Sequence, residues 1–101
     1  MSISENLQLL PRTPLAHTPT PIERLNNLSG ALGGGALYVK RDDCTGLAMG
    51  GNKARQLEYY FGEALQQHAD TILITGAVQS NFVRMAAAAA AKLGLDCHIQ
   101  L

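Results

Sequence analysis

Net charge, cysteine and long apolar runs are all scarce in this chain. Eight lysines and arginines balance eight aspartates and glutamates, so the formal charge at pH 7 is zero. No basic footprint is left to neutralise a phosphate backbone or an anionic bilayer, which sets aside nucleic acid and membrane as expected partners. The two cysteines, Cys44 and Cys97, are distant in sequence and form no CxxC pair. That spacing argues against a zinc ribbon or a disulfide framework and leaves a reducing cytoplasm as the expected location. His17, His68 and His98 share no short spacing that would put two ligands on one face, so no metal site is expected. No apolar stretch reaches the length of a membrane span, and Met1 to Pro11 lacks the basic start and continuous apolar centre of a signal peptide.

The chain has 101 residues and 47% hydrophobic content, which supports one small domain or part of a larger one, hiding about two thirds of its unfolded surface. All four prolines fall between Pro11 and Pro21, and each biases its predecessor away from helix, so residues 1–19 read as an extended arm. Thr20, Pro21 and Glu23 then have the spacing of a capping box with proline at the first helical position. They predict a helix from Thr20 to Gly30 or Gly33. Ala36 to Arg41 reads as a strand leaving a glycine turn, and Asp42 to Gly51 as a loop.

From Asn52, a plausible N-cap, the pattern becomes helical, with Leu57, Phe61, Ala64 and Leu65 on one stripe. Thr71 to Thr75 is a β-branched and apolar run of the kind buried on both faces in a parallel sheet. An alanine-rich helix from Ser80 to Leu93 follows, with Gly94 in the place of a left-handed C-terminal cap, and Asp96 to Leu101 reads as a last strand. Alternating helices and strands predict an α/β fold built on a parallel sheet of three strands. Nothing follows the last strand to cover it, so the chain reads as an incomplete fold, truncated after residue 101.

Ligands of such folds bind beyond the carboxyl ends of the strands. There the loop 42–51 and the turn Gly76 to Gln79 each lead into a helix N-terminus and should bring Lys53 near Ser80 and Asn81. A lysine in the first turn of a helix opposes the dipole. One reading is a neutral amine made available for Schiff-base chemistry, and the other is a solvated lysine that follows an N-cap. Ser80 and Asn81 can likewise be a site or plain helix caps, and Gly50 and Gly51 can permit close backbone approach or simply form a turn. Asp42 and Asp43 read as loop anchors rather than as a carboxylate pair, and Ala86 to Ala91 as packing.

Lys40-Arg41-Asp42-Asp43, then Gly50-Gly51-Asn52-Lys53-Ala54-Arg55-Gln56-Leu57-Glu58, then Gly76-Ala77-Val78-Gln79-Ser80-Asn81, together resemble the aminocyclopropane-carboxylate deaminase and D-cysteine desulfhydrase family of tryptophan-synthase-β-like enzymes. The likeness runs from about Pro19 to Leu101 and marks residues 20–101 as the N-terminal part of a pyridoxal-phosphate enzyme domain. It implies a three-layer fold, a parallel sheet with flanking helices. It also implies that Lys53 carries pyridoxal 5′-phosphate through a Schiff base and moves protons at the substrate carbon. Asn81 would lie near the cofactor ring, and Gln79, Ser80 and Asn81 would receive a small amino-acid substrate, Ser80 also serving catalysis. Cleavage of D-cysteine to pyruvate, sulfide and ammonia is the leading expectation, with aminocyclopropane-carboxylate deamination or L-cysteate sulfo-lysis as alternatives, and a homodimer as the assembly of the full-length protein.

The chain departs from the family pattern at two places. Phe82 stands where members often carry histidine, at the mouth of the expected site, and Met85 where they often carry glutamine or threonine. The glycine-rich phosphate cradle and the later catalytic groups of the family fall outside these residues, so the chain alone is expected to be inactive. A reading of another class keeps the motifs without the chemistry, as a truncated remnant or interaction module. A nucleotide-binding domain is weaker still, since neither GxGxxG nor GxxxxGK[ST] follows a strand.

Overall fold

Ser2 and Glu5 close a capping box at the start of the chain. Ser2 Oγ accepts from the Glu5 amide while the Glu5 carboxylate accepts from the Ser2 amide, and helix α1 (Ile3–Gln8) follows. This computed structural model describes all of residues 1–101. α1 buries none of its residues, and the arm expected to be extended over residues 1–19 is helical here, because the Ser2–Glu5 capping box acts ahead of the first proline. The proline-rich stretch after it is irregular and lies along a later helix, inserting Leu15 into the core.

The capping pattern at Thr20 does not start a helix. Ile22–Arg24 is a strand, β1, paired antiparallel with β2 (Tyr38–Lys40), Ile22 opposite Lys40. The connecting helix α2 (Asn26–Leu32) ends at Gly33 in the left-handed conformation, so the end of the expected helix is correct and its beginning is not. Long-range bonds explain the difference. The Thr20 hydroxyl donates to Asp42 Oδ1, and both Glu23 carboxylate oxygens accept from Arg41 Nη1 at 2.9 Å, which leaves neither side chain to cap a helix.

Residues 42–45 and 47–49 form two short 3-10 turns, and helix α3 (Lys53–Gln66) begins after them. Asn52 occupies the N-cap position but makes no side-chain cap bond. Strand β3 (Thr71–Thr75), helix α4 (Asn81–Leu93) and strand β4 (Asp96–Gln100) form a β-α-β crossover in which β3 and β4 pair in parallel, Leu73 opposite His98. Ser80 caps α4, and Gly94 closes it at φ 72°.

The core is Leu57 and Phe61 of α3 with Met85, Ala86, Ala89 and Ala90 of α4, plus Ala54 and Leu15. Alanines along α4 let it lie close to α3 and to the inner face of the sheet, where Ile72 and Ile74 pack. Parallel pairing is confined to β3 and β4. The other expected strand, Ala36 to Arg41, forms over Tyr38–Lys40 and belongs instead to a separate antiparallel pair. Only one face of β3 is covered, leaving Leu73 78% exposed, so its apolar run does not mark a strand buried on both sides here. The chain is a slab of 52 × 38 × 18 Å with a radius of gyration of 16.8 Å, larger than the roughly 13 Å of a compact domain of this length.

Candidate active site

Lys53 is the first residue of α3. It is half-buried, and neither a hydrogen bond nor an ion pair engages its ammonium, whereas Lys40 Nζ donates to the Thr20 carbonyl at 2.6 Å. The backbone ahead of it is unusual. Ala48, Met49, Gly50 and Gly51 follow one another at φ 48°, 69°, 82° and 145°, a left-handed course that costs each residue with a Cβ about 1–2 kcal/mol. Such strain persists only where neighbours over-determine it. Here they do so from three sides. Thr45, fully buried, donates its hydroxyl to the Gly51 carbonyl at 2.7 Å and accepts from the Gly51 amide at 2.8 Å. Arg84 Nη2 donates to the Gly50 carbonyl at 3.0 Å. A Cβ on Gly50 would drive into the Asp43 carbonyl oxygen.

Ser80 Oγ accepts from the Val83 amide at 3.2 Å and so caps α4, while Asn81, its first residue, and Gln79, in the turn before it, are both exposed with side chains free of hydrogen bonds. The Lys53 turn meets α4 through the Arg84 bond and through Met85, whose Sδ lies 3.1 Å from where a Gly51 Cβ would stand. The two loops are therefore joined by α4 lying on the Gly50-Gly51 turn, not by two neighbouring strands of one sheet. Arg84 Nε is the buried side-chain polar atom left without a partner, a donor with no acceptor one turn into α4.

Asp42 and Asp43 anchor the loop, as their placement predicts. The Asp42 carboxylate accepts from Arg55 Nε at 2.6 Å, from Arg55 Nη2 and from Thr20, and these bonds hold its carboxyl far below the usual carboxylate range. Asp43 pairs with Arg41, which lowers its carboxyl too. Glu58 is 2% exposed. Burial pushes its carboxyl up, but the amides of Leu15 and Ala16 and the Arg12 guanidinium, all donating to it, more than offset that and leave it lowered. One carboxylate thus fastens the N-terminal arm to the helix that begins with Lys53.

Phe82 meets Tyr60 edge-on, ring centroids 6.3 Å apart, and with Ile72 and Ile74 lines an apolar cavity of about 370 Å³ that Lys53 does not line. Met85 is fully buried in the core. No group of three or more histidine, cysteine, aspartate or glutamate side chains is arranged to hold a metal ion, and no helix is long and apolar enough to cross a membrane. Sequence reasoning missed Thr45, Glu58 and Arg84. The signal available for each was only a polar residue next to glycines or inside an apolar stripe.

Residues 13–101 match the family model described as pyridoxal-phosphate dependent enzyme. The chain is 52% identical over 97 residues to a D-cysteine desulfhydrase of Serratia proteamaculans, covering 96% of this chain and 29% of the relative. It is 56% identical over 94 residues to a 1-aminocyclopropane-1-carboxylate deaminase of Burkholderia multivorans, covering 91% and 28%. A crystal structure of an ACC deaminase homologue superposes with a TM-score of 0.88 at 44% identity, covering 98% of this chain and 31% of that one. The chain thus spans under a third of the length of these relatives. Its fold, its motifs and the matched span agree: this chain belongs to the pyridoxal-phosphate dependent enzyme family.

Proposed function

We propose that these residues form the lysine-bearing half of an active site in a lyase that acts on a small amino acid, with D-cysteine as the leading substrate. The observation that carries this reading is Lys53, a half-buried primary amine with no partner at a helix N-terminus, behind a turn clamped on three sides. The residues fit pyridoxal phosphate. Lys53 offers the amine that would hold it, Asn81 a free side-chain amide at the start of α4, and Arg84 an unmet buried donor. When bound, that group supplies the electron sink for loss of a proton from the substrate α-carbon.

The protein's own residues do the rest. Lys53 Nζ ties down the cofactor and moves the α-proton, the role a positioned amine serves in acid–base catalysis. The N-terminus of α4, with Ser80, Gln79 and Asn81, offers N–H and hydroxyl groups and a positive dipole end to the substrate carboxylate. Elimination from D-cysteine with uptake of one water gives pyruvate, sulfide and ammonia. In the complete protein the β3–β4 pair would be part of a larger parallel sheet with helices on both faces, the three-layer, tryptophan-synthase-β-like arrangement. A cytoplasmic homodimer belongs to the same reading.

The 56% identity to an aminocyclopropane-carboxylate deaminase favours that reaction as a second reading. Assay of the complete gene product on D-cysteine, aminocyclopropane carboxylate and L-cysteate separates these. Sulfide release from D-cysteine is the expected result, and its absence beside turnover of another substrate overturns the leading choice. Treatment with pyridoxal phosphate and borohydride should leave a fixed adduct on Lys53 that Lys53→Ala abolishes. No adduct in the wild type would instead favour a non-catalytic remnant.

A further inference from the structure

We propose that Thr45 is a positioning residue for Lys53: its buried hydroxyl, holding both the amide and the carbonyl of Gly51, fixes the direction in which the Lys53 amine is presented. The inference rests on the reading of Lys53 as the cofactor lysine. Thr45 is fully buried, and its Oγ1 both donates to and accepts from a single residue, Gly51, at 2.7 and 2.8 Å. The two opposed bonds grip the peptide units on either side of the Gly51 Cα and so limit rotation about that residue. Gly51 at φ 145° stands two residues before Lys53, at the end of the left-handed run that starts at Ala48. The clamp therefore acts where the chain reverses into α3, and a rotation about Gly51 would swing the first turn of the helix and the lysine with it.

The clamp is anchored in turn. The Thr45 carbonyl accepts from the His17 amide at 2.9 Å, so the N-terminal arm holds Thr45 from behind. That same arm is fastened to α3 by Glu58, which gives a closed circuit from Thr45 through the arm and back to the helix of Lys53. Arg84 fixes the adjacent Gly50 carbonyl from α4. Of these contacts, only the Thr45 hydroxyl bonds to Gly51.

Thr45→Val keeps shape and volume and removes both bonds, and Thr45→Ser keeps the hydroxyl and removes the methyl. In the complete gene product, with folding checked by circular dichroism, pyridoxal phosphate affinity is read by titration and the lysine by the borohydride-fixed adduct. Thr45→Val should weaken binding by about tenfold or more, the scale on which loss of an outer supporting hydrogen bond weakens a ligand site, and Thr45→Ser should restore most of it. If wild-type protein yields no adduct on Lys53, the reading of the site falls and the inference with it. If the wild type does and Thr45→Val binds equally well, the inference alone is overturned. Equal loss in Thr45→Ser points to methyl packing and overturns it too. Should Thr45→Val not fold, Thr45→Ala, which also lacks the hydroxyl, carries the same comparison, and if neither folds, Thr45 supports the fold and the positioning role is overturned.

Discussion

Replacing Glu58 by glutamine should release the N-terminal arm. The carboxylate accepts four N–H groups, with Oε2 taking the Leu15 and Ala16 amides at 2.6 and 3.1 Å and Oε1 taking Arg12 Nε and Nη2 at 2.9 and 2.6 Å. An amide has one accepting oxygen, so glutamine must turn its NH2 toward either the backbone amides or the guanidinium. Two donors then face donors inside a buried site. Two lost bonds to a charged acceptor correspond to about 3–5 kcal/mol. Arg12 is 48% exposed, so its share is screened and Arg12→Met should cost only about 1 kcal/mol.

Hydrogen exchange at the Leu15 and Ala16 amides reads this locally. Glu58→Gln should accelerate it by about a hundredfold or more, since each 1.4 kcal/mol is roughly a factor of ten, and Arg12→Met should change it far less. The carboxyl is lowered in the folded state, so its stabilisation is undiminished above about pH 4.3. It erodes below that and is lost once the pH falls through the folded-state value. Unchanged exchange in Glu58→Gln, or equal acceleration in both variants, would refute the assignment of the arm to this carboxylate.

Gly50→Ala should cost more than about 3 kcal/mol, because strain at φ 82° adds to a clash with backbone that cannot give way. A thermal melt checks this, and the borohydride-fixed adduct on Lys53 should be lost with it. Ser80→Ala removes the N-cap of α4 and should lower stability by about 1 kcal/mol in urea unfolding, while also raising KM for an amino-acid substrate. The Asp42 carboxyl is lowered mainly by Arg55. Its contribution should be intact above about pH 3.9 and decline as the pH falls toward the folded-state value, so the urea midpoints of wild type and Asp42→Asn should converge in strong acid.

Much of the second half was legible because its signals are local. The stripe Leu57 and Phe61, the strand at Thr71 to Thr75, the alanines of α4 and the cap at Gly94 each act over a short stretch, and each element formed where expected, although β3 is covered on one face only. The first half was misread where distant partners decide. Thr20 and Glu23 have the local chemistry of a capping box, yet Asp42 and Arg41 claim them from about twenty residues away, and the backbone becomes a strand. Glu58 falls within the expected helix from Asn52, and nothing in its neighbourhood announces the backbone of the arm laid over it. Asp42 and Asp43 were readable as anchors, but the partner Arg55 was not. At the candidate site, the glycines and Lys53 stood out by type, whereas Thr45 becomes visible only once the turn is folded around it.

The left-handed turn before Lys53 also bears on how this stretch can drift in mutation. Every single-base change that converts a glycine codon to another amino acid adds at least a methyl group. At Gly50 that methyl meets backbone, and at Gly51 it meets Met85 with φ at 145°. At Gly34 and Gly35, by contrast, an added carbon meets open space in an ordinary backbone region. Two glycine pairs with identical codon choices thus have opposite mutational freedom. Random mutagenesis followed by selection for folded protein should empty positions 50 and 51 of variants while filling 34 and 35.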